Sequence, residues 1–367
     1  MKTFLENPDR FFSCENPLNS YIIKFQYEEP LYPYSGITND LSINVVSGYM
    51  QAIEVSHLIK KFGSLTALND INFSVEEGET FGFLGPNGAG KTTTIRILTG
   101  ISRPTSGKAT IFGHDIEHDT IAARQSMDIV SENSNVYDDL TAWQNMMFSA
   151  ELYHVGRKER EKKAHELLTK FELHGRRNDK AHDFSKGMKR RLTLAMGLVN
   201  SPRLLFLDEP TSGLDVQSNL IIRDVVADLV REGVTVFLTT HNIEEANIMC
   251  DRVAIINKGN IVAIDAPESL KKTIQSVQSI EVSFDHNSAD QLDELRRLPM
   301  VNNAQKEGDK FKLYTEDPSE VIDAVVAYAH THNLKVISVT TLGPSLEDVF
   351  IRLTGLQRVG DGVHAID

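Results

Sequence analysis

The pattern of apolar and polar positions becomes regular only from Gln51 onward. Short apolar runs bounded by turn residues predict strands at 52–55, 71–75, 80–84, 204–207 and 234–238. The last two runs are nearly continuous, which is typical of parallel strands covered on both faces, and helical patterns follow them. The main part of the chain is therefore predicted to be an α/β domain.

Two later stretches have different patterns. Residues 141–180 are helical throughout and predict a helical subdomain at about 141–184. After Ala266, elements are predicted in the order βαββαβ, at 279–284, 289–298, 301–305, 310–314, 318–330 and 334–340. This order matches a small ferredoxin-like α+β unit. A last predicted helix, at 345–353, ends at Gly355.

The first 49 residues have no clear periodicity. Aromatic residues crowd there among several prolines. We expect a poorly ordered leader, and the alternative is an arm that docks on a partner, because interfaces are enriched in aromatic residues. The predicted divisions are an N-terminal extension at 1–49, the main domain at 50–267, an accessory domain at 276–355 and a tail at 356–367.

Composition excludes several classes of protein. The chain has 367 residues, and 51 acidic against 38 basic residues give a net charge of −13. Nucleic-acid binders usually carry a basic surplus, so no nucleic acid partner is expected. The apolar runs are too short to cross a bilayer, and the first twenty residues contain no secretory signal. Two cysteines, Cys14 and Cys250, cannot form a disulfide framework, so we expect a cytoplasmic protein.

A glycine-rich turn between a predicted strand and a predicted helix carries the strongest chemical signal. It fits the phosphate-binding pattern G-x-x-x-x-G-K-[ST], in which inward-pointing backbone N–H groups and a helix N-terminus bind phosphate oxygens. Lys91 is expected to contact the β and γ phosphates, and the Thr92 hydroxyl to bind Mg²⁺. The predicted ATP-binding residues of this turn are Gly85, Pro86, Asn87, Gly88, Ala89, Gly90, Lys91, Thr92 and Thr93.

A second signal is the apolar run 204–207, which ends in two adjacent carboxylates. Consecutive side chains of a strand point to opposite sides, so Asp208 and Glu209 are expected to have different roles. We predict that Asp208 holds Mg²⁺ and that Glu209 is the general base that activates water.

The segment 184–191, Phe-Ser-Lys-Gly-Met-Lys-Arg-Arg, resembles the signature element of ATP-binding cassette (ABC) ATPases. It differs from the common LSGGQ form at Lys186 and Met188 but keeps Ser185 and Gly187, and it is similar to the FSKGMKQR-type signature of drug-exporter ATPases. A plain helix cap at Ser185 is the alternative. The segment 211–215 resembles the dimer-contacting D-loop, and His241 closes the next strand as the family's switch histidine does.

At two further positions the resemblance implies a contact with the nucleotide or its metal ion. Glu132 stands where the family usually has glutamine; its carboxylate is expected to ligate Mg²⁺ but cannot donate the amide hydrogen bond. Phe62 occupies the place of the aromatic residue that stacks on adenine, and a core or strand-edge aromatic is the alternative.

The resemblance covers about 51–267, and 279–355 resembles the accessory domain of daunorubicin-type exporters. It implies the ATP-hydrolysing subunit of a membrane exporter, with Glu209, His241 and Lys91 as catalytic residues. Two copies would sandwich two ATP molecules, each closed by the other copy's Ser185 and Gly187.

The implied partner is an integral membrane permease that holds the subunit on the inner face of the cell membrane. The expected edge of its docking groove is Tyr137, Asp138 and Asp139. The alternative is a soluble cassette ATPase that acts on ribosomes or DNA, which the single cassette and short helical insert disfavour. A third possibility, a binding module without catalysis, is disfavoured by the retained Lys91, Glu209 and His241.

Overall fold

The computed structural model describes residues 51–273, 278–286, 288, 290–355, 357–359 and 362–364. The predicted extension at 1–49, which includes Cys14, lies outside the described residues. In chain order, the elements of the main domain are β1 Gln51–Phe62, β2 Leu65–Glu76, β3 Thr80–Leu84, α1 Lys91–Leu98, β4 Ser106–Ile111, β5 His114–Asp115, α2 Thr120–Gln125, β6 Met127–Val130, α3 Ala142–Leu152, α4 Arg157–Lys170, α5 Lys186–Gly197, β7 Leu204–Asp208, α6 Val216–Arg231, β8 Thr235–Thr240, α7 Ile243–Met249, β9 Arg252–Asn257, β10 Asn260–Asp265 and α8 Pro267–Lys272.

The main domain contains two sheets. The larger has the order β10-β9-β3-β8-β7-β6, and all neighbours except β10 and β9 are parallel. Every residue of β3, β7 and β8 is buried, as the continuous apolar runs predicted. The smaller sheet, β2-β1-β4-β5, is antiparallel. The predicted α/β class is confirmed.

Each face of the larger sheet has its own core. On one face, β1, β2 and α1 pack around a group of phenylalanines in which Phe237 lies 5.4 Å from Phe206 and 5.6 Å from Phe83 between ring centroids. On the other face, α3 to α7 form a second apolar cluster. The sheet is therefore held rigidly on both sides, and the strand ends that carry the polar motifs are fixed in position.

The chain between β6 and β7 is mainly helical. Thr141 begins α3 with a capping box, in which its hydroxyl accepts from Gln144 N and the Gln144 side chain accepts from Thr141 N. Two short 3₁₀ turns, His174–Arg176 and Ala181–Asp183, lead from α4 to α5. Ser185 caps α5, which brings the end of this helical region back against the larger sheet.

A small second domain follows. Its elements are β11 Gln278–Phe284, α9 Gln291–Leu295, β12 Asn303–Glu307, β13 Lys310–Thr315, α10 Pro318–Thr331 and β14 Val336–Leu342. The antiparallel sheet has the order β12-β13-β11-β14, which together with the βαββαβ sequence gives the predicted ferredoxin-like fold. Its core is separate and includes Phe311, Val325 and Tyr328.

The next helix, α11 Leu346–Thr354, packs elsewhere. Its buried residues Leu346, Val349 and Phe350 belong to the helix-side core of the main domain. Asn257 Nδ2 also donates to Thr354 O at 3.1 Å. The chain thus returns from the ferredoxin-like domain to complete the core of the main domain. Beyond it, β15 Gln357–Val359 pairs with β16 Gly362–His364. None of the described helices has the length and apolar character needed to span a bilayer.

Candidate active site

The glycine-rich loop joins β3 to α1 at the carboxyl edge of the parallel sheet. Gly85 N donates to Thr240 O at 3.2 Å, which fixes the start of the loop against β8. A Cβ on Gly85 would lie 2.4 Å from Ile256 O. Gly90 has a φ of 116°, and a Cβ there would lie 2.7 Å from a methyl carbon of Leu68. Glycine is therefore required at both positions, by close approach at the first and by backbone conformation at the second.

Lys91 begins α1 and is buried inside the loop. Its ammonium donates to Gly85 O at 2.6 Å and to Pro86 O at 3.3 Å, and it lies 3.2 Å from Glu209 Oε1. The loop thus holds a single positive charge at its centre, beside the carboxylate predicted to be the general base.

Three side chains with oxygens that suit Mg²⁺ converge at the end of β7. Thr92 Oγ1 donates to Asp208 Oδ2 at 3.2 Å, and Thr239 Oγ1 donates to Asp208 Oδ1. Carboxylate and hydroxyl oxygens are the ligands that Mg²⁺ takes beside nucleotide phosphates, so Thr92 and Asp208 fit a magnesium site.

Glu209 occupies a strained backbone conformation, with a φ of 48° that non-glycine residues seldom adopt. Its N donates to Thr239 O at 3.0 Å, and its Oε2 lies 2.8 Å from His241 Nδ1. Burial alone would raise the pKa of Glu209, but the His241 hydrogen bond and the Lys91 charge outweigh it and hold this pKa below its usual value. The carboxylate is therefore ionised at neutral pH.

His241 lies directly after β8 and is half-exposed. The hydrogen bond to Glu209 raises the pKa of His241, against the opposing effect of partial burial. Glu209 thus lies between Lys91 Nζ, 3.2 Å from one carboxylate oxygen, and His241 Nδ1, 2.8 Å from the other. The structure brings all three predicted catalytic residues together.

The signature segment forms a different surface. Ser185 caps α5 by accepting from Met188 N at 3.2 Å, and its side chain is exposed. A Cβ on Gly187 would lie 2.1 Å from Ser218 Oγ, so glycine there allows the start of α5 to touch the start of α6. Within the described residues, no hydrogen bond joins Ser185 or Gly187 to the loop 85–92.

Lys186, one of the departures from the usual signature, contacts the predicted D-loop. Its ammonium donates to Ser212 O at 3.3 Å and packs over Gly213. Asp215 caps α6 by accepting from Ser218 N at 2.8 Å. The signature segment and the D-loop therefore form one continuous surface.

Comparison with known proteins decides the family. The ABC transporter family matches residues 68–212, and the family of DrrA1-3-like C-terminal domains matches 266–354. The linearmycin resistance ATP-binding protein LnrL of Bacillus subtilis is 35% identical over 305 residues, which cover 83% of this chain and 98% of that protein. The daunorubicin/doxorubicin resistance ATP-binding protein DrrA of Streptomyces peucetius is 34% identical over 307 residues, with 83% and 93% covered. The chain belongs to the ABC transporter ATP-binding proteins.

Solved ABC cassettes agree with the fold. A dimeric cassette in a post-hydrolysis state with ADP and phosphate has a TM-score of 0.54 and 27% identity, covering 58% of this chain and 98% of that chain. The protein cbiO1 of Clostridium perfringens, part of the ABC transporter complex cbiONQ, has a TM-score of 0.57 and 25% identity, with 68% of this chain and 96% of that chain covered. The protein is an ABC ATPase, and ATP is its ligand.

Glu132 and Phe62, the two remaining predicted site residues, both have exposed side chains. The carboxylate of Glu132 is exposed and, in the described part of the chain, makes no hydrogen bond to Thr92 or Asp208. Phe62 ends β1 with about half of its surface exposed, and Lys60 Nζ lies 4.8 Å from its ring centre. Phe62 is therefore not a core residue, while adenine stacking by Phe62 and metal ligation by Glu132 stay predictions.

Sequence reasoning missed two buried charged residues of the ABC cassette. Glu245 of α7 accepts from Thr211 Oγ1 at 2.6 Å and from Thr240 Oγ1, and it joins the D-loop to the end of β8. Burial raises its pKa. The pattern Asn242-x-x-Glu245 signals a helix start, but it suggests an exposed cap rather than a buried link. The second residue, Arg190 of α5, contacts the backbone beside Asp208.

Proposed function

We propose that this protein is the ATP-hydrolysing subunit of an exporter and acts as a dimer on a separate integral membrane permease. The observation that supports it is similarity along both domains to proteins named for resistance or export. Besides the two resistance proteins, a Nod factor export ATP-binding protein I of Rhizobium johnstonii is 36% identical over 83% of this chain.

The proposed reaction is attack of water on the γ-phosphate of ATP. The loop N–H groups and Lys91 hold the β and γ phosphates, and Glu209 accepts the proton of the attacking water. His241 keeps Glu209 ionised and oriented through its 2.8 Å contact. Bound Mg²⁺, held by Thr92 and Asp208, would neutralise charge on the phosphates.

The second copy supplies the other half of each site in this proposal. The exposed Ser185 and the first N–H groups of α5, next to the buried Gly187, form a helix start that favours a negatively charged ligand. Opposed to the loop 85–92 of a second copy, this helix start would close on the γ-phosphate. Loss of that phosphate would then open the dimer.

The permease is proposed to dock beside Tyr137, Asp138 and Asp139. Tyr137 is half-exposed and packs edge-on against the partly exposed Phe148, with ring centroids 4.9 Å apart. Asn145 fixes the Tyr137 backbone by accepting from its N at 2.8 Å and donating to its O at 3.1 Å. The result is a rigid, partly apolar surface. Docking there would hold the subunit at the inner face of the membrane.

The test is capture of the permease by the tagged full chain from detergent-solubilised membranes. We expect a polytopic membrane protein to copurify, Tyr137→Ala to weaken its capture, and Ile121→Ala, a change at a well-exposed residue of α2, to have no effect. An ATPase that captures ribosomes or DNA instead of a membrane protein would overturn the exporter assignment and support the soluble alternative.

A further inference from the structure

Arg190 lies on α5, one turn after the cap Ser185, and only 3% of it is exposed. The sequence shows it as one member of a short basic run, and none of the motifs gives it a role. A buried guanidinium is costly unless all its hydrogen bonds are satisfied, so its partners indicate what it does.

Each of the five N–H donors of this guanidinium has a carbonyl acceptor. Nε donates to Pro210 O at 3.0 Å, and Nη2 donates to Asp208 O at 2.9 Å and Glu209 O at 3.3 Å. Nη1 donates to Ser131 O and, at 3.2 Å, to Glu132 O. The acceptors belong to two segments: 208–210, which follows β7 and carries the catalytic carboxylates, and 131–132, which follows β6.

The planar fork of arginine is what makes this arrangement possible. Lysine has three donors at a single nitrogen and cannot reach five carbonyls spread around a plane. Arg190 therefore braces three parts of the cassette against each other: the signature helix, the catalytic strand end and the loop that contains Glu132. It touches neither the loop 85–92 nor Lys91 among the described contacts.

We propose that Arg190 is a positioning residue for ATP hydrolysis. It holds the backbone of Asp208 and Glu209 to α5, so that a shift of the signature helix moves the strained Glu209 backbone with it. The helix that would contact the partner's nucleotide is in this way tied to the general base of its own site. This inference rests on the proposed roles of Glu209 and Ser185.

The electrostatic surroundings keep the guanidinium of Arg190 charged. Burial lowers the pKa of Arg190 to about 10, and the nearby carboxylates of Asp208, Glu132, Glu245 and Glu209 oppose this shift. Arg190 is therefore protonated at neutral pH, and its five donors persist across the physiological range.

The experiment compares Arg190→Lys with Arg191→Lys in the full chain. Arg191 is a matched control because it is buried on the same helix but donates to Phe171 O, away from the site. We expect Arg190→Lys to lower kcat by about tenfold or more while KM for ATP stays within about threefold, because misplacement of a catalytic group costs turnover rather than binding. Arg191→Lys should keep kcat within about threefold.

Two results would overturn the proposal. Equal kcat values for the two variants would reduce Arg190 to a structural residue, and a raised KM with unchanged kcat would make it a binding residue. Thermal melting of both variants checks that each folds. Should Arg190→Lys unfold, Arg190→Met, which keeps an unbranched side chain without N–H donors, replaces it under the same criteria.

A second measurement separates this inference from the proposed function. Light scattering with ATP should show dimers of Glu209→Gln and fewer dimers when Arg190→Lys is added. Absence of dimers in Glu209→Gln alone would contradict the two-copy function and leave the kcat criterion for Arg190 intact. Equal dimerisation of the single and double variants would contradict the proposed coupling of Glu209 to the signature helix through Arg190.

Discussion

Two polar regions of the cassette differ in how far a single chain completes them. Around Glu209, one carboxylate oxygen contacts Lys91 Nζ and the other contacts His241 Nδ1, both in the same chain. At the start of α5, Ser185 is exposed and Gly187 allows α5 to lie against α6. The first region is the half of the proposed site that one chain forms by itself. The second region is a helix start that suits an anion, and in the proposal that anion is the nucleotide bound to the other copy. A site shared between two copies needs both regions.

The largest expected effect is the loss of ATP hydrolysis when Glu209, in the first region, is changed. Glu209→Gln removes the proton acceptor, and phosphate release should fall by roughly 10²–10⁴-fold while ATP binding is kept. Glu244→Gln, the same change at an exposed glutamate of α7, should leave turnover unchanged. Turnover near wild type in Glu209→Gln would show that another group is the base.

The second prediction tests whether the two regions serve each other across copies. Ser185→Arg and Lys91→Ala should each be inactive. The arginine at position 185 blocks the start of α5, and the alanine at position 91 removes the positive charge from the loop 85–92. Mixed in equal amounts, half of the dimers would contain one intact site, so about a quarter of the wild-type ATPase rate should return. A mixture as inactive as its components would refute a site made by two chains. Ser185→Asn, which retains a cap, checks that α5 remains folded.

The third prediction concerns the link between the regions. Glu245→Ala leaves the hydroxyls of Thr211 and Thr240 without their acceptor and should cost about 1–3 kcal/mol in the free energy of unfolding, measured in urea. Glu244→Ala, on the exposed side of α7, should cost much less. Because burial raises the pKa of Glu245, wild type should lose stability relative to Glu245→Gln as pH rises from the usual glutamate range through that raised pKa.

The smallest effect is a shift in the titration of His241. The Glu209 hydrogen bond raises the pKa of His241, so the pair stabilises the fold below the ordinary histidine range and loses this contribution as pH rises through the raised pKa. In Glu209→Gln the pKa of His241 should fall back, as followed by NMR of the ring protons. The titration of His241 should not change in Glu244→Gln; an unchanged titration in Glu209→Gln would contradict the ion pair.

Motifs predicted the parts of the site that depend on local chain geometry. The glycines before Lys91 mark a turn, the two acids after an apolar run mark a strand end, and the cap residue before α5 marks a helix start. The ferredoxin-like order followed from alternating strand and helix patterns. In these segments, local conformation and chemistry are coded by the same few residues.

Residues that act by joining distant segments could not be predicted in this way. Arg190 contacts carbonyls, which every residue offers, so its partners leave no mark on the sequence. Glu245 looks like an ordinary first-turn glutamate until Thr211 is brought beside it. Metal ligation by Glu132 stays a prediction from its position in a motif, since its carboxylate is exposed and no described hydrogen bond joins it to Asp208.

The return of α11 to the cassette core has a consequence for synthesis on the ribosome. Leu346, Val349 and Phe350 emerge only after the whole ferredoxin-like domain has been translated, yet they belong to the same apolar core as Ala246 and Val253. The cassette domain therefore cannot complete this core until synthesis has passed beyond the ferredoxin-like domain.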